Sequence, residues 1–232
     1  MLLCSTDDVS DAQVILSRGD LILREADVKL LRHSGAWLND ALITFRLQRL
    51  AEKLERPDIL LLDASVGYFL SYCDPADIGA VAGPLQLSTR ALILCPVSDN
   101  SSPEVALGGS HWTLLAFWPG LRRCCFYDSL GGRAGANVQA AATSLASACG
   151  LGSTPRLETP SCPKQANGSD CGLHVALYAE AVCDAHCKHS GPPSSDDLSL
   201  IASPAAAAEL RRSMLQDIES LAQSTQMADW SD

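Results

Sequence analysis

The chain has 232 residues, of which 47% are hydrophobic, 19% charged and only 5% aromatic. A single domain of that length buries roughly 70% of the surface its unfolded chain exposes, so a substantial core forms without covalent staples. With 17 Lys and Arg against 27 Asp and Glu, the net charge of -10 argues against nucleic acid or an anionic membrane as the main partner. Residues 1–12 are polar and acidic and are read as a flexible extension. Val14-Ile15-Leu16 and Leu21-Ile22-Leu23, around Arg18-Gly19-Asp20, are expected to be short strands or turns at the edge of the fold. Ala36 to Glu55 carries apolar residues near helical spacing and ends before Pro57. Ser65 to Cys73 and Pro75 to Ala82 are read as two short helices.

The middle of the chain is strand-like. Ala91 to Val97 suits a buried strand, and the polar loop Ser98 to Ser110 leads to two more, His111 to Trp118 and Arg123 to Asp128, around Pro119-Gly120. An Ala-rich helix follows over Asn137 to Cys149, then a strand at Arg156 to Thr159. A helix is expected from Cys171 to His186 and a loop from Ser190 to Ser199. Ser203 as N-cap with Pro204 in the first turn announces a last helix to about Gln223, with 224–232 frayed. Helices bracketing a central group of strands make a single α+β domain over 13–223.

No run reaches the roughly 18 apolar residues of a membrane span, and Met1 to Asp8 lacks the basic flank and apolar stretch of a signal peptide. The expected location is therefore cytoplasmic, or nuclear as well. In a reducing compartment most of the ten cysteines are read as buried small hydrophobes rather than disulfide partners.

Two segments carry chemistry. Pairing of the hairpin centred between Pro119 and Gly120 would set His111 directly opposite Asp128, where a carboxylate can fix the imidazole's tautomer and stabilise its charge. Gln165 to Gly172 is a polar loop running straight into a helix. With Asp170 as N-cap, Cys171 enters the first turn, where unpaired backbone N–H groups and the positive end of the dipole favour a thiolate. An ordinary surface charge pair and a buried structural cysteine are the bland alternatives. A His, Asp, Cys order disfavours the papain-like proteases, and the helix disfavours the all-β viral ones.

Trp37-Leu38-Asn39-Asp40, Gly109-Ser110-His111-Trp112-Thr113-Leu114-Leu115, Tyr127-Asp128-Ser129 and Gln165-x-Asn-x-x-Asp-Cys-Gly172 stand in the order found in the Ulp/sentrin-specific cysteine proteases. Together they resemble that family, and within it the short deneddylase branch. The resemblance implies a papain-like, adenain-type fold with a central mixed sheet flanked by helices. It also implies Cys171 as nucleophile, His111 as general base and acid, Asp128 orienting His111, and Gln165 donating into an oxyanion hole. Trp37 and Trp112 would wall a channel too narrow for side chains and suited to a C-terminal Gly-Gly, with Asp40 contacting a basic tail. Gly108-Gly109 would close over it.

The implied partner is a Nedd/Rub-type ubiquitin-like modifier with its conjugates, cullin-like targets among them, acted on by a monomer. No metal or organic cofactor is expected. Thr113, Phe117-Trp118 and Arg122 to Cys125 depart from the branch's usual residues and leave a SUMO-type modifier as an alternative. A His-acid-Cys acetyltransferase using acetyl-coenzyme A and an inert binding module are the rivals outside the protease class. Cys183, His186, Cys187 and His189 have the composition of a zinc site, but buried thiols at a helix end are the more ordinary reading.

Overall fold

A computed structural model describes residues 10–74, 77–102, 104 and 108–229. An antiparallel hairpin, β1 (Val14–Arg18) and β2 (Leu21–Arg24), leads into α1 (Glu25–Arg32) and α2 (Asp40–Leu54). Then come β3 (Ile59–Leu61), α3 (Ala64–Tyr72), α4 (Ile78–Leu85), β4 (Leu92–Ser98), β5 (Trp112–Trp118) and β6 (Arg123–Tyr127). The chain ends with α5 (Ala136–Ala148), β7 (Leu157–Glu158), α6 (Cys171–His189), α7 (Ser195–Ile201) and α8 (Pro204–Asp229).

Strands β3 to β7 form one mixed sheet in sequence order, parallel at both outer pairs and antiparallel across β4-β5-β6. Both faces are covered. Leu92 and Leu94 of β4 join one apolar cluster with α2, α6 and α8, while Ile93, Cys95 and Val97 join a second with α3 and α5. A strand buried on both faces has no polar side to show, which is why 91–97 reads as an unbroken apolar run.

The hairpin register differs from the sequence reading. Trp118 pairs with Arg123 and Leu114 with Tyr127, so the centre lies one step later, between Gly120 and Leu121. The connection is a four-residue turn rather than a Pro-Gly pair, closed by the Arg122 N–H on the Pro119 carbonyl (3.0 Å) with Arg122 in the left-handed region (φ 49°). The offset amounts to two residues. It therefore keeps every side chain on its face and makes His111 and Asp128 diagonal neighbours instead of direct opposites.

Two helices were not foreseen. Helix α1 grows from a hairpin strand without a break, and α7 occupies the expected loop 190–199. The signal for α7 was present in Ser194-x-x-Asp197, which forms a reciprocal cap: Ser194 Oγ accepts from the Asp197 N–H (3.2 Å) and Asp197 from the Ser194 N–H (2.9 Å). Helix α8 starts as read, with Ser203 Oγ accepting from the Ala206 N–H (3.1 Å), but continues to Asp229, into the segment expected to fray. Of the extension 1–12, residues 10–12 are tied to the fold. The Ala12 carbonyl accepts from Arg24 (2.7 Å) and Asp11 pairs with Lys29 (2.5 Å). Residues 1–9 and 230–232 lie outside the described ones.

Candidate active site

The site forms where the loop before β5, the end of β6 and the start of α6 converge. Asp99 fixes the first of these. Its carboxylate accepts from the backbone N–H groups of Ser110 (2.6 Å) and His111 (2.9 Å) and from Ser110 Oγ (2.7 Å), and its own N–H returns a bond to the His111 carbonyl (3.0 Å). Burial disfavours charge on Asp99, but these donors hold its pKa below the usual carboxylate value. Gly109 lies against this turn at φ 96°, where a Cβ would sit 2.8 Å from both Asn100 N and Asp99 Oδ1. The two glycines expected to close over a substrate thus also serve close packing against 98–100.

His111 Nε2 meets Asp128 Oδ1 at 2.6 Å, and Cys171 lies close enough to the ring to act on its charge. The Asp128 carboxylate is held from the other side by the N–H groups of Leu130 (2.9 Å) and Gly132 (2.5 Å). A Cβ on Gly132 would stand 2.8 Å from Asp128 Oδ2, so only glycine permits that approach. Lys164 Nζ (2.8 Å) and the Cys162 thiol (3.4 Å) both donate to the Asp128 carbonyl, fixing its backbone. Asp99, Gly132 and Lys164 were not singled out in the sequence. Their roles run through backbone atoms, which leave no spacing signature.

Burial opposes charge on His111, yet the bond to Asp128 and the nearness of Cys171 outweigh it and raise its pKa to about 9. Burial likewise works against Asp128, but His111 and the two N–H donors lower its pKa to about 2. The consequence for stability has opposite signs at the two ends. The His111 contribution is complete below its ordinary value of 6.5 and is lost as pH rises through about 9. That of Asp128 is complete above 3.8 and is lost as pH falls through about 2. Urea midpoints of wild type and Asp128→Asn should therefore differ most between these limits, at about pH 4 to 6.5, and the gap should narrow beyond pH 9 without closing, because the Leu130 and Gly132 N–H groups still hold the carboxylate. A gap that stays constant to pH 10 would contradict this.

Cys171 is the first residue of α6 and is buried. Asn167 shapes the entry, its Oδ1 accepting from the N–H groups of Ser169 (2.9 Å) and Asp170 (3.0 Å), an Asx turn that delivers the chain into the helix. Gly172 lets this end press on α2 and the residues before it, since a Cβ there would meet Leu38 at 3.0 Å and Ile43 at 3.2 Å. Asp170 occupies the N-cap position, but contrary to expectation its side chain caps nothing. Its carboxylate bonds Arg211 (3.0 Å) and Asn167 Nδ2 (2.8 Å) instead.

A cleft of about 410 Å³ opens beside these residues, lined by Trp37, Asp40, Tyr68, His111, Trp112 and Cys171 among others. Trp37 is 47% exposed on its rim and donates from Nε1 to the Gly168 carbonyl (2.8 Å), joining one wall to the loop before Cys171. Asp40 is exposed at the start of α2, accepting from the Ala41 N–H (2.9 Å). Gln165 lies next to the site with its amide engaged. Oε1 accepts from Ser129 Oγ (2.6 Å) and Nε2 donates to the Asn167 carbonyl (2.6 Å), which uses one of its two N–H groups and leaves the other to serve an oxyanion.

The sequence's other candidates are not gathered into a site. His186 Nδ1 accepts from the Trp118 indole (3.2 Å), Cys187 lies by Arg56, and among the described residues no group of three or more His, Cys, Asp or Glu could hold a metal. His174 is fully buried and burial lowers its pKa, keeping it neutral.

No protein-family model matches the chain. The NEDD8-specific protease 1 of Arabidopsis thaliana is 31% identical over 178 residues, covering 76% of this chain and 78% of that protein. The chain belongs to the Ulp/sentrin-specific cysteine protease family. This cysteine protease is also 30% identical to sentrin-specific protease 8 of Homo sapiens over 175 residues, 73% of its own length and 81% of the relative's. Its fold matches the C-terminal Ulp1 protease domain solved in complex with Smt3, the yeast orthologue of SUMO. The TM-score is 0.68 with 21% identity, over 90% of this chain and 88% of that one. The mixed sheet flanked by helices is thus the Ulp1-type protease fold, and the substrates of the family are ubiquitin-like modifiers.

Proposed function

We propose that this protease matures a Nedd/Rub-type modifier at its C-terminal Gly-Gly and removes it from target lysines, cullin-like proteins among them. In this reading it acts as a monomer in the cytoplasm and nucleus. The observation that carries the reaction is the His111–Asp128 pair standing beside Cys171 at the edge of a cleft walled by Trp37 and Trp112. The modifier rests on the two relatives named for NEDD8 processing and for sentrin-specific protease 8.

The thiolate of Cys171 attacks the carbonyl carbon of the modifier's last glycine. The resulting oxyanion lies near the N–H groups that open α6, with Gln165 as a further donor. Collapse breaks the C–N bond, the His111 imidazolium protonates the leaving lysine amine, and a thioester remains. Neutral His111 then takes a proton from water, whose oxygen attacks the thioester and frees the enzyme. Two indole walls admit a tail without side chains and reject one with bulk.

The test uses three modifiers, of neddylation type, SUMO type and ubiquitin, each with a C-terminal thiol-reactive group, on wild type and Cys171→Ala. An adduct with the first alone, absent in Cys171→Ala, is the expected result. An adduct with the SUMO-type probe instead keeps the mechanism and overturns the modifier, and no adduct with any of them overturns the reading.

A further inference from the structure

Arg211 is a buried cation on α8, 7% exposed, with four acceptors drawn from three parts of the chain. Nη1 donates to the carbonyls of Leu30 (2.8 Å) and His33 (3.2 Å), which belong to the C-terminal end of α1 and the residue that follows it. Nη2 donates to the Ala36 carbonyl (2.8 Å) and to Asp170 Oδ1 (3.0 Å). Ala36 immediately precedes Trp37, and Asp170 immediately precedes Cys171. One guanidinium therefore joins the backbone under a cleft wall to the residue before the nucleophile. It also meets the helix-end carbonyls of α1, where a cation is favoured.

The bond to Asp170 has a second effect. Aspartate at an N-cap position ordinarily turns its carboxylate onto the first free N–H groups of the helix. Here that would set a full negative charge beside the Cys171 sulfur and occupy donors that an oxyanion needs. Arg211 and Asn167 hold the carboxylate away, so the start of α6 keeps its positive potential uncompensated.

We propose that Arg211 is a positioning residue for the reaction: it keeps the Asp170 carboxylate off the N-terminus of α6 and fixes the Trp37 wall relative to Cys171. Two effects separate in experiment because only the first runs through a charge on Asp170.

The test compares Arg211→Gln, Arg211→Lys, Asp170→Asn and the double variant Arg211→Gln/Asp170→Asn in the full chain. Two quantities are read: the rate of Cys171 alkylation by iodoacetamide at pH 7, localised by mass spectrometry, and kcat and KM on a neddylation-type modifier with a C-terminal aminocoumarin. Arg211→Gln should slow alkylation about three- to tenfold, the range expected of one charge at a helix end. Adding Asp170→Asn should restore alkylation to within about twofold of wild type while KM stays raised, because the tie to Ala36 is still absent. Alkylation unchanged in Arg211→Gln, or equally slow in the double variant, overturns the proposal. Where Arg211→Gln does not fold, Arg211→Lys decides. It keeps the charge but cannot span both acceptors, so KM should rise at least about threefold with alkylation unchanged, and an unchanged KM overturns the proposal. The inference rests on Cys171 as nucleophile, and the two fail separately. Alkylation needs no substrate, whereas turnover by Cys171→Ala would remove the nucleophile and leave the Arg211 measurement standing.

Discussion

Asp128→Asn should lower kcat by about 10³- to 10⁴-fold while KM stays within about threefold, the loss expected when an imidazole is left in the wrong tautomer. Both carboxylate oxygens of Asp128 face donors: Oδ1 meets His111 Nε2 and the Leu130 N–H, and Oδ2 the Gly132 N–H. An amide has only one oxygen. If that oxygen faces His111, its NH₂ opposes the Gly132 N–H; if it turns to Gly132, its NH₂ forces His111 to carry its proton on Nδ1. In the proposed mechanism His111 deprotonates Cys171, which a proton on Nδ1 prevents. Loss of the negative charge also removes the strongest of the effects that raise the His111 pKa against burial, so the ring holds its proton less well. Steady-state kinetics on the aminocoumarin substrate check this, with Cys171→Ala as the variant of no turnover. Activity of Asp128→Asn within tenfold of wild type would show that His111 is oriented by something else.

The largest stability effect is expected at a helix–sheet contact outside the proposed catalytic residues. Helix α3 lies on β4 through Gly67, where an added Cβ would be 2.0 Å from the Pro96 carbonyl oxygen and 3.2 Å from Cys95 Sγ. Backbone atoms on a central strand cannot yield, so Gly67→Ala must lift the helix from the sheet and loosen the second apolar cluster, which includes Leu70 and Cys95. We expect a loss of about 3 kcal/mol, at the upper end for overpacking, and a melting temperature lower by about 6–12 °C for a chain of this size. Gly79→Ala in α4 is the matched control. Nothing lies within 4 Å of its Cβ, so removing backbone freedom in the first turn of this helix should raise stability by about 0.4–1 kcal/mol. Thermal or urea unfolding of the two variants should thus move in opposite directions, and a Gly67→Ala protein as stable as wild type would refute the close approach.

The sequence by itself determined what depends on neighbours along the chain. The unbroken apolar run 91–97, the Ser203-Pro204 start of α8 and the polar loop that opens at Cys171 each carry a local signal, and each stands where it was read. The four motifs also named the family, because residue type and order survive without coordinates. Only the tertiary structure decided the rest. The register of the β5-β6 hairpin depended on a four-residue turn with Arg122 in the left-handed region, and no pattern of side chains announces that choice. The side chain of Asp170 was misread for a related reason. Local propensity makes it a cap, but a buried guanidinium 41 residues away offers a stronger, charge-assisted bond. Asp99, Gly132 and Lys164 serve the site through main-chain atoms, and Arg211 reaches it across more than a hundred residues from Leu30 and Ala36. Such contacts are made by packing α8 and β6 around one point, and a linear sequence does not hold that point.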